Sequence, residues 1–214
     1  MKPFNPYNRE HNLHWSVLQL STLLGNAIEK NSSTYISYAA LEGRMIIERV
    51  EFEILVMAAH ESLNTDWQDF IEKQNGIQKV NSKYKALKFR YQSFTEAFSK
   101  VILIDLPLKP FEFKKAEDFQ SRLSQYIHIY TRKPEELLFE GEFIQSGIKF
   151  IKETISYLEN MFTIQDGNYV FGVLNFSTLK NGFEIEFNNW LKTVDEDVEA
   201  LTERLHKIAS NFKP

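Results

Sequence analysis

Ala39-Ala40-Leu41-Glu42-Gly43-Arg44-Met45-Ile46-Ile47-Glu48-Arg49-Val50-Glu51-Phe52-Glu53-Ile54-Leu55 sits inside an unbroken helical pattern that runs from about Thr34 to Ser62. Apolar residues recur at alternating steps of three and four, the spacing of one face of an α-helix. Two such seams coexist. One is Ile36, Ala40, Gly43, Ile47, Val50, Ile54 and Met57; the other is Tyr38, Leu41, Met45, Glu48, Phe52, Leu55 and Ala59. A helix that is apolar on two sides belongs at the centre of a helical protein. Glu48 stands where the second seam calls for an apolar residue, and a buried carboxylate needs a partner. Two partnerships are open: Arg44, one turn earlier, or Arg122 and His128 from a later segment.

The same period extends outward from this segment. Leu13, Val17, Leu20, Leu24 and Ala27 form a first stripe, separated from the next by the turn residues Asn31-Ser32-Ser33. A third helical region begins near Asp66 with Trp67, Phe70 and Ile71, and breaks at Asn75-Gly76. It resumes through Tyr84, Leu87, Tyr91, Phe94, Phe98 and Val101. Leu106-Pro107-Leu108-Lys109-Pro110 forces an extended connection, because proline and the residue before it resist helix. A helix carrying Ala116, Phe119, Leu123, Tyr126 and Tyr130 follows. Pro134 marks the first turn of the next, which keeps step through Ile144, Ile148, Ile151, Ile155, Leu158 and Phe162.

Near the C-terminus, Phe183, Ile185 and Phe187 alternate with Glu184 and Glu186 behind Asn181-Gly182, the pattern of a tight β-hairpin. Thr193 and Glu196 have capping-box spacing ahead of a last helical stripe through Val198, Leu201, Leu205, Ile208 and Phe212. The expected fold class is therefore mainly α, an antiparallel helical bundle of about six to seven helices with a short hairpin near Tyr169–Phe187. The expected organisation is a single domain over 1–214. Its core bundle covers about 12–163, and a hairpin-plus-helix extension covers about 168–212.

Composition supports a packed globule: 43% of the 214 residues are hydrophobic, with 18 Phe and 9 Tyr against 8 Gly and 6 Pro. The absence of cysteine excludes disulfides and thiolate metal sites and favours an intracellular protein. The opening MKPFNPYNREHNLHW has no secretory pattern, and the longest apolar run, Ile54 to Ala59, is far too short to span a bilayer. A cytoplasmic location with no membrane partner is expected.

Charge is unevenly spread within a net −4. Lys79, Lys83, Lys85, Lys88, Arg90 and Lys100 face only Glu96, whereas Glu184–Glu203 holds seven acids against Lys192. Such blocks suit a phosphate-facing patch or complementary dimer faces, and equally a set of solvated helix faces. Tyr84, Tyr91, Phe94 and Phe98 within the basic block follow the core period, which places them in the interior rather than against bases.

Motifs that carry chemistry are few. No Walker loop, GxGxxG, GxSxG or HExxH occurs. Glu203 and His206 make one Glu-x-x-His, where a di-iron bundle needs two, and His11 with His14 has no obvious third ligand. His60 falls at the end of a helix, where the dipole favours a cation. No metal and no cofactor are expected.

Arg122-Leu123-Ser124-Gln125-Tyr126-Ile127-His128, an arginine and a histidine separated by five residues, stands out against this background. Together with the AALEGRMIIERVEFEIL helix, it resembles the HEPN superfamily of helical-bundle proteins over about Tyr35–Phe162. That resemblance implies Arg122 and His128 as catalytic residues; Glu48 joins them as a candidate catalytic residue on the separate ground of the second partnership open to it, with one of these two rather than Arg44. It implies either a metal-independent endoribonuclease of a toxin-antitoxin or phage-defence system, or a non-catalytic RNA-binding or protein-interaction module. The partners it implies are a second copy in a homodimer, RNA, or a cognate antitoxin protein, with DNA not expected.

The chemistry suits the residues. Histidine, with an unperturbed pKa of ~6.5, transfers protons at neutral pH, and a fixed guanidinium stabilises charge building on phosphoryl oxygens. Leu123 departs from the polar residue that commonly follows the family's arginine. Six residues at ~100° each also leave Arg122 and His128 roughly 120° apart on a continuous helix. A break in the helix or a composite site across a two-fold dimer would bring them together.

Overall fold

The computed structural model describes residues 12–63, 85–101, 111–165, 168–171, 182–193 and 197–211. The elements expected around Asp66–Gly76 and at Leu106–Pro110, together with Tyr84 and Glu196, lie outside these residues. The described part is mainly helical. Helix α1 spans Leu13–Lys30, α2 Ser33–Leu63, α3 Lys85–Val101, α4 Phe113–Ile127, α5 Glu142–Met161, α6 Phe183–Lys192 and α7 Val198–Ser210. Two 3-10 turns, Ile129–Thr131 and Pro134–Leu137, join α4 to α5.

The chain divides into two compact units, Met1–Arg49 with Lys114–Phe171, and Val50–Phe113 with Gly172–Pro214. This division cuts across the core segment 12–163 expected from the sequence: α3 sorts with the C-terminal helices, and α2 contributes its first half to one unit and its second to the other.

In the first unit, Asn12 caps α1 by accepting from the Trp15 amide at 2.6 Å, and Asn31 ends it in the left-handed conformation that a helix C-terminus favours. The first seam of α2 is buried throughout its described side chains, Ile36, Ala40, Gly43, Ile47, Val50 and Ile54. The seat of the Ile36 side chain against α5 depends on glycine: a Cβ at Gly147 would meet Ile36 Cγ2 at 2.5 Å. Between α4 and α5 an aromatic ladder forms, Phe143–Tyr126–Phe150–Phe119–Tyr157, with successive ring centroids 5.3, 5.7, 5.6 and 4.4 Å apart. Offset rings at such separations add to the area they bury.

In the second unit, α3 packs against α6 and α7. Tyr91, Phe94 and Phe98 meet Phe183 and Phe187 edge-on at 5.0–6.3 Å. These aromatics of the basic block are core residues, as their period implies, and burial pushes the Tyr91 phenol well above its ordinary range, so the ring stays neutral. The block itself is not a surface patch in full, because Lys88 and Arg90 are buried.

The hairpin expected near Tyr169–Phe187 is corrected. Phe183–Lys192 is a helix, entered through Gly182 at φ 88°. Its buried residues Phe183, Glu186, Phe187, Trp190 and Leu191 follow the helical stripe, and Ile185 is exposed. The alternation misleads because Glu186 belongs to the buried face, where Arg204 of α7 bonds it at 2.7 Å. A two-stranded antiparallel ribbon lies earlier instead, β1 Phe162–Gln165 paired with β2 Asn168–Phe171. The capping box is also corrected: Thr193 ends α6 and Asp197 caps α7 by accepting from the Glu199 amide at 3.1 Å. Pro134 opens a 3-10 turn rather than the long helix, which starts at Glu142.

Candidate functional site

The α4 helix stops at Ile127. His128 leaves it with φ −90° and ψ 64°, its amide still held by the Ser124 carbonyl at 3.2 Å. The chain then tightens into the 3-10 turn, closed by Arg132 N–H on the Ile129 carbonyl at 3.0 Å and Thr131 Oγ1 on the His128 carbonyl at 3.1 Å. Ile129 turns inward onto the cluster formed by Ala27, Ile36, Phe143 and Ile144, and this anchors the turn. The outcome is an open depression of about 400 Å³ lined by Ser124, Gln125, His128, Thr131, Arg132 and Glu136. It combines an imidazole, a guanidinium, a carboxylate, two hydroxyls and an amide.

Arg122 does not line this depression. Its guanidinium bonds Glu153 at 3.1 Å, lies 3.9 Å from Asp118 and rests 3.9 Å over the Phe150 ring. These contacts make it part of the α4–α5 packing, with its charge opposed by two carboxylates. The cation beside His128 is instead Arg132, which faces Glu136 at 3.4 Å and sits 5.7 Å over the Phe143 ring.

Glu48 pairs with Arg44 at 2.7 Å, both about one-quarter exposed. The other arm of Arg44 reaches 80 residues along the chain to donate to Ser124 Oγ at 2.9 Å. Ser124 in turn donates to the Gln120 carbonyl at 2.8 Å. Glu48 is thus linked to the depression indirectly, through Arg44 and Ser124. Ser124 is the member of this arrangement to which sequence reasoning gave no role, and Arg44 was weighed only as a partner of Glu48. Ser124 shares a helical face with His128, an i,i+4 signal that was available; the meeting with Arg44 was not.

A second depression, of about 450 Å³, is lined by Glu186, Asn189, Lys192, Thr193 and Arg204 in the other unit. Its arginine is engaged by Glu186 and it has no histidine, so it offers no comparable proton-transfer group. Among the described residues no group of three or more His, Asp or Glu side chains could hold a metal ion, and Glu203 and His206 are both exposed on α7. No helix among them is long and apolar enough to cross a membrane. Comparison of the chain with protein-family models, with curated proteins and with solved structures finds no match.

Proposed function

We propose that this chain is a HEPN-like helical protein acting on RNA, a metal-independent endoribonuclease whose proton-transfer group is His128. The observation that carries the reading is the depression in which His128, Arg132 and Glu136 converge at the end of α4. In such a reaction the 2′-oxygen of a nucleotide attacks its own 3′-phosphate, and the bond to the 5′-oxygen of the next nucleotide breaks. A base takes the 2′-proton and an acid supplies one to the departing 5′-oxygen, leaving a 2′,3′-cyclic phosphate. An imidazole and a carboxylate can divide these two roles, and a guanidinium stabilises the extra charge on the phosphoryl oxygens. The role the family resemblance gives Arg122 passes to Arg132, because Arg122 is held by Glu153 and the Phe150 ring.

Incubation of the purified protein with mixed cellular RNA in EDTA tests this. The wild type should cleave, and His128→Ala, an exposed site whose loss leaves the helices intact by circular dichroism, should lose about 10²–10⁴-fold of the rate. Arg132→Ala should lose about 10²–10³-fold, and Arg122→Ala should cleave as the wild type does. An inert wild type, or a His128→Ala protein of unchanged rate, rejects the reading.

A second reading, a non-catalytic interaction module that works as a homodimer, is favoured by one observation. The second seam of α2 is exposed at Tyr38, Leu41 and Met45, at 55%, 43% and 39%. Three apolar side chains on successive turns of one helix face suit the same face of another copy. Under this reading the wild type sediments as a dimer and Leu41→Glu as a monomer of unchanged helicity. A wild type that stays monomeric at high concentration removes the support.

A further inference from the structure

Tyr130 is 82% exposed, more than any other large hydrophobic side chain among the described residues. It is the middle residue of the 3-10 turn whose neighbours are committed elsewhere: Ile129 to the core, Thr131 and Arg132 to the depression. Its ring centroid is 5.8 Å from that of His128. The turn therefore holds a full aromatic surface in water directly beside the depression. Nothing in folding favours that placement, since an exposed ring forgoes the stabilisation that burying it brings.

The surroundings indicate which chemistry suits the ring. From His128 to Lys133 the chain carries Arg132 and Lys133 and no acid. The next acids along the chain are Glu135 and Glu136, and Glu136 is turned to Arg132 at 3.4 Å. An aromatic face followed two and three residues on by Arg132 and Lys133 matches a base attached to a phosphate. The ring takes the π-face of the base and the cations take the backbone charge. A purely apolar partner would gain nothing from those cations.

We infer that Tyr130 is a stacking platform for one unpaired base adjoining the depression. The inference rests on the RNA reading above and adds to it the recognition of an unstacked base. A base within a duplex has both faces covered by its neighbours and cannot use the platform.

The test is fluorescence anisotropy with a 2′-O-methyl oligoribonucleotide, which has no free 2′-hydroxyl and so remains intact with the wild-type protein. The same strand annealed to its complement, and a strand of equal length without bases, serve as comparisons. The single strand should bind more tightly than both. Tyr130→Ala should weaken it by about 5- to 150-fold, the equivalent of one base stack, while Tyr130→Phe, which keeps the ring, should remain within about twofold of wild type. The duplex and the baseless strand should be indifferent to either change.

Unchanged single-strand affinity in Tyr130→Ala overturns the platform and leaves the RNA reading standing. Absence of binding by the wild type to every strand overturns both. If Tyr130→Ala alters sedimentation of the free protein but not its affinity for the strand, the ring serves a protein contact, and the inference is likewise overturned.

Discussion

Replacing Trp190 with alanine is expected to destabilise the unit formed by Val50–Phe113 and Gly172–Pro214 by about 3–5 kcal/mol. Trp190 is fully buried, its Nε1–H donates to the Arg90 carbonyl at 2.9 Å, and the Arg90 guanidinium lies 4.4 Å over its ring. Alanine removes the largest side chain of that core, leaves a cavity, and removes the side-chain donor that reaches the Arg90 carbonyl. Against the ~5–15 kcal/mol that typically separates folded from unfolded states, such a loss is a large fraction of the whole. Denaturant unfolding followed by circular dichroism measures it; fluorescence is unsuitable because Trp190 is one of only three tryptophans. Trp190→Phe separates the two contributions, keeping most of the volume and losing the hydrogen bond, for about 1–3 kcal/mol. A loss under ~1 kcal/mol in the alanine variant would contradict the burial described.

The second large effect is expected at Lys88, buried with its Nζ 3.8 Å from the Glu51 carboxylate, itself fully buried, and 5.0 Å over the Phe113 ring. Lys88→Met keeps the length of the chain and removes the charge, so that the buried Glu51 loses this ion pair. The expected loss is about 3–5 kcal/mol. Adding Glu51→Leu should recover most of it, because a buried ion pair exchanged for apolar residues of similar volume is often neutral or stabilising. The double variant is decisive: if it is no more stable than Lys88→Met alone, the two charges do not act on each other, and their proximity is incidental to stability.

Both effects involve residues that the sequence presents differently. Lys88 and Arg90 belong to a run of bases that reads as a surface patch, and the interior position of Lys88 depends on Glu51, 37 positions away in a different helix. The candidate site shows the same division. The short segment ending in His128 was legible because the spacing is a local pattern, and so was the pairing of Glu48 with Arg44, an i,i+4 neighbour. The diversion of Arg122 to Glu153 was not, since that carboxylate is 31 residues on and on another helix. Arg44 meeting Ser124 was equally out of reach.

Helical period is written in each segment by itself, because a side chain's direction follows from 3.6 residues per turn, and the stripes of α1, α3, α4, α5 and α7 and the first seam of α2 were accordingly readable, although Tyr130 and Phe162, read as continuing two of them, fall in the 3-10 turn and in β1. Where the segment was short the period was ambiguous: Phe183–Phe187 satisfies a step of two, and only Arg204 facing Glu186 from α7 explains why the helical face includes a carboxylate. Which of the two α2 seams is covered, which unit α3 joins, and which carboxylate holds Arg122 away from His128 were decided by tertiary contacts. Those choices depend on shape and charge meeting across tens of residues, and a one-dimensional pattern carries no distance between them.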